Sequence, residues 1–158
     1  MSPVIRANWL LLALATLLSL IIYLDSRQAP GDYIPISDLK SHQISRLVIK
    51  QQRITEQFQR NNGSWIELST GAPATDPSRI AKLLHIAELP SLHRFPVADH
   101  KLEAFGLQPP RYQLQLDGLL IRFGGIDPAT GLRYVQVGER IHLITDSYTH
   151  HLSPQPAP

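Results

Sequence analysis

Residues 111–123 read RYQLQLDGLLIRF, and this stretch decides the fold. Tyr112, Leu114 and Leu116 alternate with Arg111, Gln113 and Gln115. Period-two alternation puts the apolar set on one face of a strand and the polar set on the other. Asp117-Gly118 then separates this run from Leu119, Ile121 and Phe123, which continue the apolar face. An Asp-Gly pair between alternating runs predicts a type I′ hairpin. Beyond it, GGIDPATG at 124–131 reads as a loop. Residues 133–137, a turn at Gly138-Glu139 and residues 141–145 complete a C-terminal four-strand meander with a dry face and a wet face.

Upstream of the meander, residues 99–105 read as a short helical turn with Gly106 as its left-handed cap, and Pro109-Pro110 forbids further helix. Residues 92–97 read as extended. Before them lies the one main helix. Asp76 is a good N-cap and Pro77 suits the first helical position, where a missing N–H has no partner to lose. Ile80, Leu83, Leu84 and Ala87 fall at i, i+3, i+4 and i+7, an apolar stripe that must cover a sheet face, and Pro90 stops it. Earlier still, residues 46–51 and 54–60 read as strands. Asn61-Asn62-Gly63-Ser64 predicts a turn, and 65–69, opened by Trp65, returns as a third strand.

The amino-terminal end has another character. Trp9 to Leu24 reads WLLLALATLLSLIIYL, uncharged, with Thr16 and Ser19 its only polar residues. With Ala7 and Asn8 the run is long enough to cross a bilayer core as a helix of roughly 27 Å. Trp9 and Tyr23 stand at its two ends, where amphipathic aromatics favour the interface. A cleaved signal peptide is the rival reading, but no small-x-small pair follows Leu24. Arg6 precedes the run while Asp25, Arg27 and Asp32 follow it, a slight bias toward a cytoplasmic N-terminus. The expected organisation is a stub and transmembrane anchor at 1–26, a spacer at 27–43, an extracytoplasmic α+β domain at 44–152 and a disordered tail at 153–158. The expected location is the bacterial inner membrane, with a single pass and the C-terminal domain in the periplasm.

Composition narrows the chemistry. The 158 residues carry a formal net charge of +2 and no cysteine. The small charge gives little support to nucleic-acid binding, and the lack of cysteine excludes disulfides, thiolate nucleophiles and thiolate-held metals. Seven histidines are present: His42, His85, His93, His100, His142, His150 and His151. The helix carries only His85, so no H-x3-H pair stands on one face, and hydrogen-bonded or solvated histidine is the expectation. Asp76 is explained as a cap, Asp117 and Asp127 as turn residues, and Glu103 and Glu139 as surface groups. Gly63-Ser64-Trp65 lacks the second glycine of a nucleophile elbow, and no helix follows Gly124-Gly125 to receive a phosphate. No catalytic residue, cofactor or metal is expected. Phe105 and Leu107 are read as packed under the sheet, with Gly106 supplying the unusual φ, and Trp65 as core.

The ordered set of Trp65, the helix opened by Asp76 and Pro77, Phe105-Gly106-Leu107 with Pro109, Phe123-Gly124, Tyr134-Val135 and Val137-Gly138 resembles the bacterial family known as domain of unknown function 4340. The resemblance spans roughly residues 46–152. It implies an N-terminal anchor and, for some members, genes near ABC-transporter components like those associated with gliding motility. It brings no catalytic residues. The function expected is a non-enzymatic scaffold or accessory subunit of a membrane complex. The alternative is a periplasmic binding module for a lipid or glycan.

Overall fold

The computed structural model describes residues 16–19 and 34–153. The chain divides into two compact units, Met1–Tyr33 and Ile34–Pro158. In the first, residues 16–19 are helical. The expected anchor, with Trp9, Tyr23 and Leu24, otherwise lies outside the described residues. No helix among the described residues is long and apolar enough to cross a membrane.

The second unit is an antiparallel sheet of eight strands in the order β3-β2-β1-β5-β6-β7-β8-β4, with few helices. The strands are β1 (Arg46–Gln51), β2 (Ile54–Asn61), β3 (Ser64–Glu67), β4 (His93–Pro96), β5 (Tyr112–Leu116), β6 (Leu119–Ile126), β7 (Arg133–Val137) and β8 (Arg140–Ile144). Helix α1 (Pro77–His85) continues into a 3-10 turn, Ile86–Glu88, and a short helix α2 (Thr149–Leu152) ends the described chain. Strands β5 to β8 pair consecutively, but they are not a sheet of their own. β1 joins the free edge of β5 and β4 joins the free edge of β8, so the expected small sheet and separate meander are one continuous sheet.

One face of the sheet is the main core. Leu47 and Ile49 of β1 stand beside Leu116 and Leu114 of β5, and Tyr112 and Leu114 beside Phe123 and Ile121 of β6. Ile80, Leu83 and Leu84 of α1 cover this layer together with Ile36, Ile44, Leu89 and Leu152. Ile36 belongs to the expected spacer, yet it is buried and its N–H donates to the Leu89 carbonyl at 3.0 Å. The packed unit therefore begins near Ile34, ahead of residue 44. At the other end Ser153, expected in the tail, accepts from Arg79 at 3.1 Å, while residues 154–158 lie outside the described residues.

The second face is wet only in part. Across β2, β5 and β7 it carries Gln57, Gln113, Gln115 and Gln136, as alternation requires. Toward β4 it is dry, because the 3-10 turn Leu102–Phe105 and Leu107 fold over it. Tyr134 pairs with Leu143, Gln136 with Ile141 and Phe95 with Ile141, so all of these side chains leave the sheet on the side away from Val135 and the main core. This explains why Ile141 to Ile144 are all buried. Ile141 and Leu143 face the smaller cluster, whereas His142 and Ile144 face the larger one.

Candidate functional site

The backbone approaches itself closely where Phe105-Gly106-Leu107 crosses β6. Gly124 and Gly125, read from sequence as loop, belong to β6, and the β6–β7 register shifts between Phe123 and Ile126. A Cβ on Gly124 would lie 2.3 Å from the Phe105 carbonyl oxygen and 3.0 Å from the Leu107 side chain. Only glycine admits the crossing segment at that distance. Gly106 takes φ 64°, and its N–H donates to the Glu103 carbonyl at 3.0 Å, a left-handed cap to the 3-10 turn. Leu107 is buried. Phe105 is half-buried, its ring 5.6 Å from Phe95 and 4.8 Å from Tyr134. The segment thus covers the second face of the sheet and does not join the main core.

The remaining residues singled out in the sequence serve local structure. Asp76 accepts from the Arg79 N–H at 3.0 Å, and that bond together with the Ser78 hydroxyl holds its carboxyl below the usual value. Trp65 packs on the edge of the main core, with the Arg60 guanidinium 5.3 Å from its ring centre. Asp117 does more than turn the chain. At φ 48° it aims its carboxylate at the start of β1 and accepts from the N–H groups of Ser45 and Arg46, the latter at 2.8 Å.

Two buried arginines, which sequence periodicity did not single out, tie distant segments of the unit together. Arg79, on α1, donates to Glu56 at 2.6 Å, to the His151 carbonyl at 2.8 Å and to the Ser153 carbonyl. Arg133 holds Asp146 with two bonds, at 2.5 and 2.8 Å, and also donates to the Gly124 carbonyl at 2.5 Å. The Arg133 bonds, with a further one from Thr149, hold the Asp146 carboxyl below its usual value. A buried arginine is tolerable only when its charge and N–H fork are matched in this way. The sequence signal was faint: an arginine just behind an N-cap, and another opening an apolar strand.

The histidines do not converge on a metal, since no group of three or more potential ligands forms among the described residues. His142 is buried, shares a 2.9 Å hydrogen bond with the Ser91 hydroxyl, and is pushed down to about 4 by burial and by the Arg94 and Arg140 charges. His85, His150 and His151 instead line an open groove of about 650 Å³, with Lys82, Tyr148 and Ser147, between the last turns of α1 and the segment running into α2. The His150 and His151 rings lie 3.7 Å apart, and the His85 and Tyr148 rings 6.3 Å apart.

The sheet edges are blunted. The outer edge of β3 is occupied by its own chain, through Glu67 N–H to the Ala72 carbonyl and Ala74 N–H to the Trp65 carbonyl. β4 has four residues and ends in Pro96. Both are devices that discourage strand addition. Exposed apolar side chains stand elsewhere. Ile34 and Leu92 are two of them; the Ser91 N–H donates to the Ile34 carbonyl and Pro35 bridges Pro90.

Comparisons with known proteins find no matching family model, no matching curated protein and no matching solved structure. The resemblance to domain of unknown function 4340 accordingly rests on its own short motifs.

Proposed function

We propose that the chain is a non-enzymatic, single-pass protein of the bacterial inner membrane, whose periplasmic α+β domain contacts an integral membrane partner as a scaffold or accessory subunit. The observation that carries this reading is the exposure of Ile34, the first residue of the folded unit and ten residues after the uncharged run that ends at Leu24, with Leu92 also exposed next to Ser91, whose N–H bonds the Ile34 carbonyl. Apolar surface beside a membrane-proximal chain end suits a contact with another membrane protein. The non-enzymatic part rests on the roles of the buried ionisable groups. Arg79, Arg133 and His142 each have a structural partner. The motif order shared with domain of unknown function 4340 favours an ABC-transporter permease as the class of partner.

Strand addition is not favoured as the mode of contact, given the covered edge of β3 and the short β4. The test is photocrosslinking of the full chain in its native membrane from residue 34 or 92, with residue 54 as control. Ile54 is exposed but lies on β2, toward the opposite end of the sheet from β4. Discrete protein adducts from 34 and 92, absent from 54, are expected. Adducts to lipid alone, or equal labelling from all three positions, would overturn the reading.

A further inference from the structure

The groove beside α1 is independent of that contact surface. The donors that line it are the Lys82 ammonium, the imidazoles of His85, His150 and His151, and the hydroxyls of Ser147 and Tyr148, the Ser147 hydroxyl also lying 3.5 Å from that of Thr145. Among the described residues no carboxylate lines it. Ser41 also lines it, but its hydroxyl and its N–H are committed to Glu88, and Lys40 lies 3.9 Å from the same carboxylate. The other acids nearby are likewise engaged: Asp146 by Arg133 and Thr149, and Asp76 by the N-terminus of α1. Placement near a helix C-terminus accounts for Lys82 and His85, which complement the dipole there. It does not account for two adjacent histidines and a tyrosine on the opposite wall. Burial, the His150 ring and the Lys82 and Arg79 charges hold His151 below the ordinary histidine value, with Asp76 acting the other way.

We propose that this groove binds a phosphoryl group, through Lys82, His85, His150 and His151, with Tyr148 lining the side that receives the organic portion. Six donors without an acceptor carboxylate suit an anion with several oxygens. An imidazole holds an anion more strongly when it carries a proton, so tighter binding at lower pH is the expected signature of a histidine-lined site. The source is either a free phosphate or a phosphodiester headgroup, and the same chemistry recognises both.

The test uses the full chain in neutral detergent, with binding followed by histidine ring resonances. Inorganic phosphate is titrated at pH 6. Glycerophosphoglycerol, whose single charge does not change over the range, is titrated at pH 6 and pH 8. Saturable shifts at His85, His150 and His151 are expected, with affinity for the diester about tenfold higher at pH 6, equivalent to about 1.4 kcal/mol. A response to phosphate alone identifies a free anion as the source, and a response to the diester as well identifies a headgroup. Binding lost in His150→Gln/His151→Gln and weakened in Lys82→Gln, with melting temperatures unchanged in the absence of ligand, supports the site. Equal shifts from chloride at matched ionic strength, no saturation with either probe, or full binding by both variants overturns it.

Discussion

At Gly124 the missing side chain is a packing requirement, because the Phe105 carbonyl occupies the space a methyl group would need. Gly124→Ala is expected to destabilise the domain by about 2 kcal/mol, as overpacking does when the intruded atom is backbone. Gly125→Ala is the contrast, since its nearest neighbour would be 3.6 Å away, and a change within about 0.5 kcal/mol is expected. Equal costs in denaturant unfolding would remove the close-approach explanation. His142 gives a second residue-scale expectation. Its folded value near 4 lies below the ordinary 6.5, so the unfolded chain takes up the proton first as pH falls. Its contribution to stability is complete above about pH 6.5 and is lost on descent toward pH 4, on the order of 3 kcal/mol. Equilibrium unfolding between pH 7 and 4 should show this slope, and His142→Leu should flatten it. An unchanged slope in the variant would assign the acid sensitivity to the carboxylates, of which Asp146 is depressed and acts in the same direction.

At the scale of elements, Arg79 fastens the helix to both ends of the unit. It joins α1 to β2 through Glu56 and to the last turn of the chain through the carbonyls of His151 and Ser153. The side chains of Arg79 and Glu56 are only 6% and 14% exposed, so the pair is poorly screened by solvent. Removing one member of a buried pair costs more than the pair contributes, because the other charge keeps its desolvation penalty. Arg79→Met is expected to cost about 3 kcal/mol, and Arg79→Met/Glu56→Gln clearly less than the sum of the two single changes. A double-mutant cycle in denaturant measures the coupling, and strictly additive values would show that the pair does not hold α1 to β2. The same element logic explains β8. Its unbroken burial from Ile141 to Ile144 is the mark of a strand dry on both sides, here between the main core and the cap formed by residues 102–107.

At the scale of the whole molecule, the unit from Ile34 onward contains a complete core and its own hydrogen-bond partners at both ends. Residues 34–158 alone are expected to be a folded monomer with one cooperative unfolding transition, readable by circular dichroism and sedimentation. A chain begun at residue 44 would lose Ile36 from the core and the Ile36–Leu89 hydrogen bond, and should melt lower or aggregate. Equal melting of the two fragments would show that residues 34–43 are a spacer after all.

Local chemistry in the sequence was enough to specify β1, the Asn62-Gly63 turn, the cap at Asp76 and the alternation of β5, because each depends on residues a few positions apart. Periodicity also specified which face of α1 is buried. What only tertiary structure decided depends on distant partners. The joining of all the strands into one sheet rests on β1 meeting β5 and β4 meeting β8, pairings that no local pattern encodes. Gly124 and Gly125 look like loop residues until the Phe105–Leu107 segment is seen to lie across them. The groove histidines are scattered in sequence at 85, 150 and 151, and Arg79 brings them together by hydrogen-bonding the end of the chain back onto its own helix. Spacing along a chain reports the period of an element, whereas the company a side chain keeps is set by which elements pack.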